Sequence, residues 1–283
     1  MKLYEIYFSP TGGTKQVADI LSSQWDCEKV EIDLSNSRLR FQDYKIRKED
    51  VCIVAAPVYG GRIPLMASAN LSRLKGNGAK AAAVAVYGNR AYEDALLELK
   101  DDLEEAGFCC KAGVAAIAEH SIARQFAAGR PDEEDRKQLG LFAETILGVF
   151  EEDDKEAVLH LPGNYPYKEY KVVPVIPEAN DSCTLCGLCA ELCPAGAISP
   201  ANLKTADSSR CISCMRCITV CPEDARALSL SLQDKFAQKL AKVCSGRRGN
   251  ELFCPARGEQ EYKKFQEYIH TCERGGFRQR NFP

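Results

Sequence analysis

Eight of the chain's 15 cysteines lie between Cys183 and Cys221, and they spell one pattern twice. Cys183, Cys186, Cys189 and Cys193-Pro194 read C-x2-C-x2-C-x3-C-P, and Cys211, Cys214, Cys217 and Cys221-Pro222 repeat it. Each cysteine of the second set follows its counterpart by 28 residues. A duplication at constant offset predicts two pseudo-symmetric halves. A disulfide scaffold is not expected, since such frameworks belong mostly to short secreted chains, whereas this one has 283 residues and no export signal is read in MKLYEIYFSP. The cysteines therefore point to metal.

The spacing selects the metal. Three thiolates at two-residue gaps wrap one face of a [4Fe–4S] cube from a tight loop. The fourth, followed by proline, reaches across to the other cube. On that pattern Cys183, Cys186, Cys189 and Cys221 hold one cluster, and Cys211, Cys214, Cys217 and Cys193 hold the second. Gly187 and Ser213 between the ligands leave backbone N–H groups free for cluster sulfides. Structural zinc is the competing reading, but zinc takes cysteines in separated pairs, and four within eleven residues fit it poorly. Residues 180–228 resemble the bacterial two-cluster ferredoxins.

The first 150 residues carry a different signal. Apolar strands are expected at Leu3–Phe8, Lys29–Leu34, Val51–Ala56, Ala81–Tyr87 and Ala112–Ala118. Helical faces lie between and after them, at Val17, Ala18, Leu21 and Trp25, at Ala95, Leu96, Leu99 and Leu103, and at Leu139, Phe142, Ile146 and Phe150. Alternation of this kind predicts an α/β fold, a doubly wound five-stranded parallel sheet covered on both faces. Ligands of such sheets bind at the carboxyl ends of the strands.

The first strand runs into Ser9-Pro10-Thr11-Gly12-Gly13-Thr14, hydroxyls and glycines that cradle an anion at a helix N-terminus. Neither the dinucleotide G-x-G-x-x-G nor the nucleotide G-x-x-x-x-G-K-[ST] is present here. Gly76-Asn77-Gly78-Ala79-Lys80-Ala81 precedes a strand and reads as a turn. The Ser9–Thr14 loop resembles the [ST]-x-T-G-x-T phosphate loop of flavodoxins, which bind FMN. Two further loops, Pro57-Val58-Tyr59-Gly60-Gly61-Arg62 and Tyr87-Gly88-Asn89-Arg90, leave the same sheet edge and correspond to those enclosing the isoalloxazine ring. The resemblance implies FMN contacts from Ser9, Thr11, Gly12, Gly13, Thr14, Pro57, Val58, Tyr59, Gly60, Gly61, Tyr87, Gly88 and Asn89. Tyr59 or Tyr87 would stack on the ring, and the Gly60-Gly61 peptide would flip toward N5 of the reduced flavin. Asn89 would meet the ring's polar edge, and Arg62 or Arg90 its negative charge on reduction. The single tryptophan, Trp25, is expected on the core face of the first helix, away from this site.

A flavodoxin-like domain (1–150) followed by a Pro-rich connector (151–179), a small α+β two-cluster ferredoxin domain (180–228) and a helical basic extension (229–283) resembles the EFR1-type ferredoxins of anaerobic bacteria. Pro162, Pro166, Pro174 and Pro177 make the connector an extended tether. In the extension, helices are expected at Phe236, Leu240 and Val243 and again around Tyr262–Ile269. From Glu223 onward 12 Lys+Arg face 8 Asp+Glu, which suits a packed extension with one solvated side.

The remaining cysteines, Cys27, Cys52, Cys109, Cys110, Cys244, Cys254 and Cys272, read as ordinary packed thiols. His120 reads as structural, and no catalytic triad is visible. The whole chain, with 37 Lys+Arg against 40 Asp+Glu, lacks the basic surplus of a nucleic-acid binder, and no run is long and apolar enough to span a membrane. A cytoplasmic electron carrier is expected, joining FMN to two [4Fe–4S] clusters and serving a ferredoxin or oxidoreductase as redox partner. The alternatives are a cluster-fed FMN reductase of a small organic substrate and, weakened by the missing fingerprint, an NAD(P)H oxidoreductase.

Overall fold

The computed structural model describes residues 1–152, 157–173 and 175–256. Its first half alternates β1 (Leu3–Tyr7), α1 (Gly13–Ser22), β2 (Lys29–Asp33), β3 (Val51–Pro57), α2 (Leu65–Leu71), β4 (Lys80–Tyr87), α3 (Ala95–Glu105), β5 (Cys109–Ile117) and α4 (Glu133–Glu151). The five strands are parallel in the order β2-β1-β3-β4-β5, the flavodoxin-like doubly wound topology, with its switch point between β1 and β3.

Both faces of the central strands are apolar because helices cover both. Ala81, Ala83, Ala85 and Tyr87 pack with α2 and α3, whereas Ala82, Val84 and Val86 pack with α1 and α4. Burying a valine such as Val84 stabilises by about 1.5–3 kcal/mol, so the two-sided sheet is the rigid frame that carries the loops. The acidic run at Asp132 is the start of α4. Asp132 accepts from the Asp135 N–H and Asp135 accepts from the Asp132 N–H, a reciprocal cap. Trp25 lies beyond the end of α1, buried against Phe150 with ring centroids 6.2 Å apart.

The second half contains β6 (Glu178–Ala179), α5 (Leu188–Glu191), α6 (Arg216–Thr219) and β7 (Arg226–Ala227), with β6 and β7 antiparallel. The duplication extends to the backbone. Helices α5 and α6 start 28 residues apart, and left-handed residues recur at the same offset: Leu185 with Ser213, Gly187 with Met215, Gly196 with Asp224. The Ala197 N–H donates to Cys193 Sγ as the Ala225 N–H does to Cys221 Sγ, both at 3.3 Å.

The extension departs from a purely helical one. Helix α7 (Leu230–Ala241), capped by Ser229, is followed by β8 (Glu251–Phe253), a sixth strand antiparallel to β5. It covers the edge that β5 would otherwise leave open. Leu252 points into one core and Phe253 into the other. Asn250 fastens the strand: Oδ1 accepts from the Ile117 N–H at 2.8 Å, and Nδ2 donates to Asp135 Oδ1 at 3.0 Å. Phe236 and Leu240 of α7 pack on Ala123 and Cys244, while Val243 lies past the helix and is exposed. The second helix expected around Tyr262–Ile269, and Cys272, lie outside the described residues. Among the described residues no helix is long and apolar enough to cross a membrane.

Candidate functional site

Two small cavities in the second half are each lined by four cysteines. One is surrounded by Cys183, Cys186, Cys189 and Cys221, the other by Cys193, Cys211, Cys214 and Cys217. Each joins three cysteines of one repeat to the fourth of the other, because the Cys-Pro turns cross between the halves. None of these eight is in a disulfide. The two groups differ in exposure: Cys186 is exposed beside Leu185, whereas Cys214 is buried. We call them the outer and inner groups. Burial pushes the Cys214 thiol up to about 12 and the Cys217 thiol up to about 11, so thiolates there require a cationic partner. Eight thiols in two four-membered sets fit two iron–sulfur cubes on donor chemistry.

The inner group abuts a third cavity of about 260 Å³, at the carboxyl ends of β3 and β4. Val58, Tyr59 and Gly60 form one wall, Tyr87, Gly88 and Arg90 another, and Ile212 and Ser213 of the inner cysteine loop a third. Tyr170 and Val173 of the connector, His120, and Phe236 of α7 close it. Its lining is mostly aromatic and aliphatic, as a flat apolar ring system requires. Desolvation pushes the Tyr59 phenol well up and Tyr87 up to about 12, so both rings stay neutral.

A fourth, larger cavity of about 850 Å³ adjoins the third through Ser121 and Ile122. Thr11, Gly12 and Gly13 line it, together with Arg124 and Arg130. The loop is built for close approach: Gly12 has φ +92°, a conformation open to glycine, and nothing lies within 4 Å of where a Cβ would stand. The buried Ser9 hydroxyl accepts from the Lys15 N–H at 2.9 Å, while the N–H groups of Gly13 and Thr14 find no acceptor among the described residues. Unsatisfied N–H groups opening a ten-residue helix fit an anion such as a phosphate.

Several expected residues stand elsewhere. Asn89 is buried and turned to the extension: Nδ2 donates to the carbonyls of Cys244 (3.0 Å) and Gly246 (2.7 Å), and Oδ1 accepts from the Arg248 N–H. Arg62 is held by Glu98 in two 2.7 Å hydrogen bonds and stacks on Tyr167, so it does not line the aromatic cavity. Gly61 does not line it either; at φ +93° it backs onto Glu93. Pro57 ends β3 outside the lining, and Arg90 lines the cavity while paired with Glu93 at 2.6 Å.

Other lining residues were not anticipated. The connector is no free tether: Asp94 accepts from the backbone N–H groups of Asn164 (2.9 Å) and Lys168 (2.8 Å), and Asp101 accepts from Tyr165 and Tyr167. These bonds lead Tyr170–Val173 across the cavity mouth. His120 Nδ1 accepts from the N–H groups of Ile122 (3.1 Å) and Ala123 (3.2 Å), leaving the proton on Nε2. Burial brings its pKa down to about 4. Its place after β5 was the one available signal.

Residues 182–226 match the family model of the 4Fe-4S dicluster domain. The epoxyqueuosine reductase of Francisella cf. novicida strain Fx1 is 31% identical over 118 residues, 42% of this chain and 27% of that protein. The chain thus spans about a quarter of that relative's length. Among solved structures, the flavodoxin of Streptococcus pneumonia TIGR4 superposes with a TM-score of 0.39 at 20% identity, covering 52% of this chain and 99% of that one. The rubredoxin oxygen:oxidoreductase of the anaerobe Desulfovibrio gigas gives 0.38 at 16% identity, covering 53% of this chain and 36% of that one.

Proposed function

We propose that this chain is an electron-transfer protein in which FMN exchanges electrons with two [4Fe–4S] clusters, the arrangement of the EFR1-type ferredoxins. The observation that carries the proposal is the shared wall: Ile212 and Ser213, within the inner cysteine loop, also line the aromatic cavity. A flavin there would lie against the protein segment that ligates the inner cluster.

The flavin supplies two-electron and one-electron chemistry, and the clusters accept electrons singly. The chain's own residues bind, orient and exclude water. Gly13 and Thr14 would hold the phosphate by backbone N–H groups, and Ser121 and Ile122 would flank the ribityl chain. Tyr59, Tyr87, Tyr170 and Phe236 would enclose the ring. His120, neutral and with its proton on Nε2, is a donor available to a ring heteroatom. Cys183, Cys186, Cys189 and Cys221 would hold the outer cluster, and Cys193, Cys211, Cys214 and Cys217 the inner. The exposed Leu185 and Cys186 make the outer loop the place where a redox protein would dock.

Anaerobic reconstitution with iron, sulfide and FMN tests the proposal. About eight irons and one FMN per chain are expected; zinc in place of iron, or no retained flavin, would contradict it. The 850 Å³ cavity favours one second reading, a reductase of a small organic substrate bound beside the flavin. Steady-state turnover of such an acceptor, absent from a pure carrier, separates the two.

A further inference from the structure

The duplication is broken at a position buried in both copies. Counting 28 residues on from Ile198 leads to Arg226, and both side chains are buried, at 4% and 2% exposure. An aliphatic residue in the first copy is an arginine in the second. An arginine cannot shed its proton in a protein, so a permanent cation stands inside the cysteine-rich domain.

Its surroundings do not neutralise it. Nη2 donates to the Pro177 carbonyl at 3.0 Å, Nη1 donates to the Leu203 carbonyl, and Nε has no partner. Among the described residues no carboxylate lies within 4 Å of the guanidinium. The sulfur atoms are its anionic neighbours. Nη1 lies 3.7 Å from Cys189 Sγ of the outer group, and Arg226 lines the outer cavity. Its charge also reaches Cys217 and Cys211 of the inner group electrostatically. Cys189 and Cys217 are themselves counterparts in the repeat, so the guanidinium sits at the junction of the halves. A buried cation without a carboxylate is costly unless the site carries negative charge, and sulfur-ligated clusters carry it.

We propose that Arg226 is a positioning residue for charge. Its cation raises the reduction potentials of both clusters, and that of the outer cluster more, so that an electron entering at the flavin side comes to rest at the outer, exposed site. The step is a one-electron exchange: the inner site is oxidised by one electron, the outer reduced by one, and no proton moves. Reduction adds one negative charge, which a fixed cation in a low-dielectric site stabilises.

The proposal rests on the two-cluster reading, and the test separates their failures. Wild-type, Arg226→Met and Arg226→Gln chains, all full-length, are reconstituted anaerobically, assayed for iron, and titrated potentiometrically with electron paramagnetic resonance detection. A wild type without cluster signals overturns the two-cluster reading itself. With clusters present, Arg226→Met is expected to make both potentials more negative. The outer reduction equilibrium should shift by about tenfold, or about 59 mV for one electron, and the first electron should redistribute toward the inner cluster. If Arg226→Met does not retain its iron, Arg226→Gln, which is neutral but keeps hydrogen-bond donors, is titrated instead with the same expectation. A neutral variant with full iron content and unmoved potentials would overturn the role assigned to Arg226.

Discussion

The Ser213 hydroxyl donates to the backbone carbonyl of Val173. Ser213 stands between Cys211 and Cys214, and Val173 ends the connector segment that crosses the aromatic cavity, so one hydrogen bond ties the cluster loop to the flavin-side wall. Ser213→Ala removes it at a net cost of about 1 kcal/mol. The expected outcome is slower flavin-to-cluster transfer in flash photoreduction, with iron and flavin contents at wild-type values.

The crossing of the cysteine sets predicts which iron is lost with which ligand. Cys221→Ser should empty the site built around Cys183, Cys186 and Cys189, although Cys221 belongs to the other repeat. About half the iron should remain, with the flavin still bound. Iron assay and spectra of Cys221→Ser beside Cys193→Ser check this, because uncrossed ligation would exchange the two results.

Gly61 predicts strain. At φ +93° a Cβ would be disfavoured in any surroundings, and here it would also collide with Glu93. Gly61→Ala should destabilise by about 1–3 kcal/mol, measured by denaturant unfolding of the cofactor-free chain.

Asp94 holds the connector through two backbone N–H groups and the Asn164 amide. Asp94→Ala leaves those donors to water. A loss of about 1–3 kcal/mol is expected, together with weaker FMN retention, since Tyr170–Val173 would no longer be led over the cavity. Fluorescence titration of the cofactor-free chain with FMN measures the second effect.

His120 predicts the direction of a pH effect. Its folded pKa of about 4 is below the ordinary value of 6.5, with desolvation first among the causes and Arg90 adding to it. The unfolded chain therefore binds the proton more tightly, and stability falls as pH drops through 6.5 toward 4. The total lost is at most about 3 kcal/mol. Unfolding midpoints between pH 7 and 4.5 should show this slope in the wild type and a shallower one in His120→Phe.

What the sequence made legible was what is local. Each C-x2-C-x2-C-x3-C-P run and the Ser9–Thr14 loop encode their geometry within a short stretch of chain, and the 28-residue offset shows as an exact repeat. The parallel sheet was readable because two-sided burial leaves unbroken apolar runs such as 81–87. Other features depend on contacts distant in the chain. Asn89 serves the extension 155 residues later, Arg62 pairs with Glu98, and Phe236 closes a cavity opened by Tyr59. Strand β8 is three residues long, too short to show a period, and exists because β5 presents an open edge. Arg226 breaks the repeat in the sequence, standing 28 residues after Ile198, but only the fold shows that it is buried.

Flash photoreduction of the bound flavin, followed at flavin and cluster wavelengths, tests most directly whether one chain joins the two cofactors. Transfer within the chain predicts that flavin reoxidation and cluster bleaching proceed at one rate, unchanged on tenfold dilution of the protein. A cluster bleach that slows in proportion to dilution, or fails to appear while the flavin stays reduced, would contradict it.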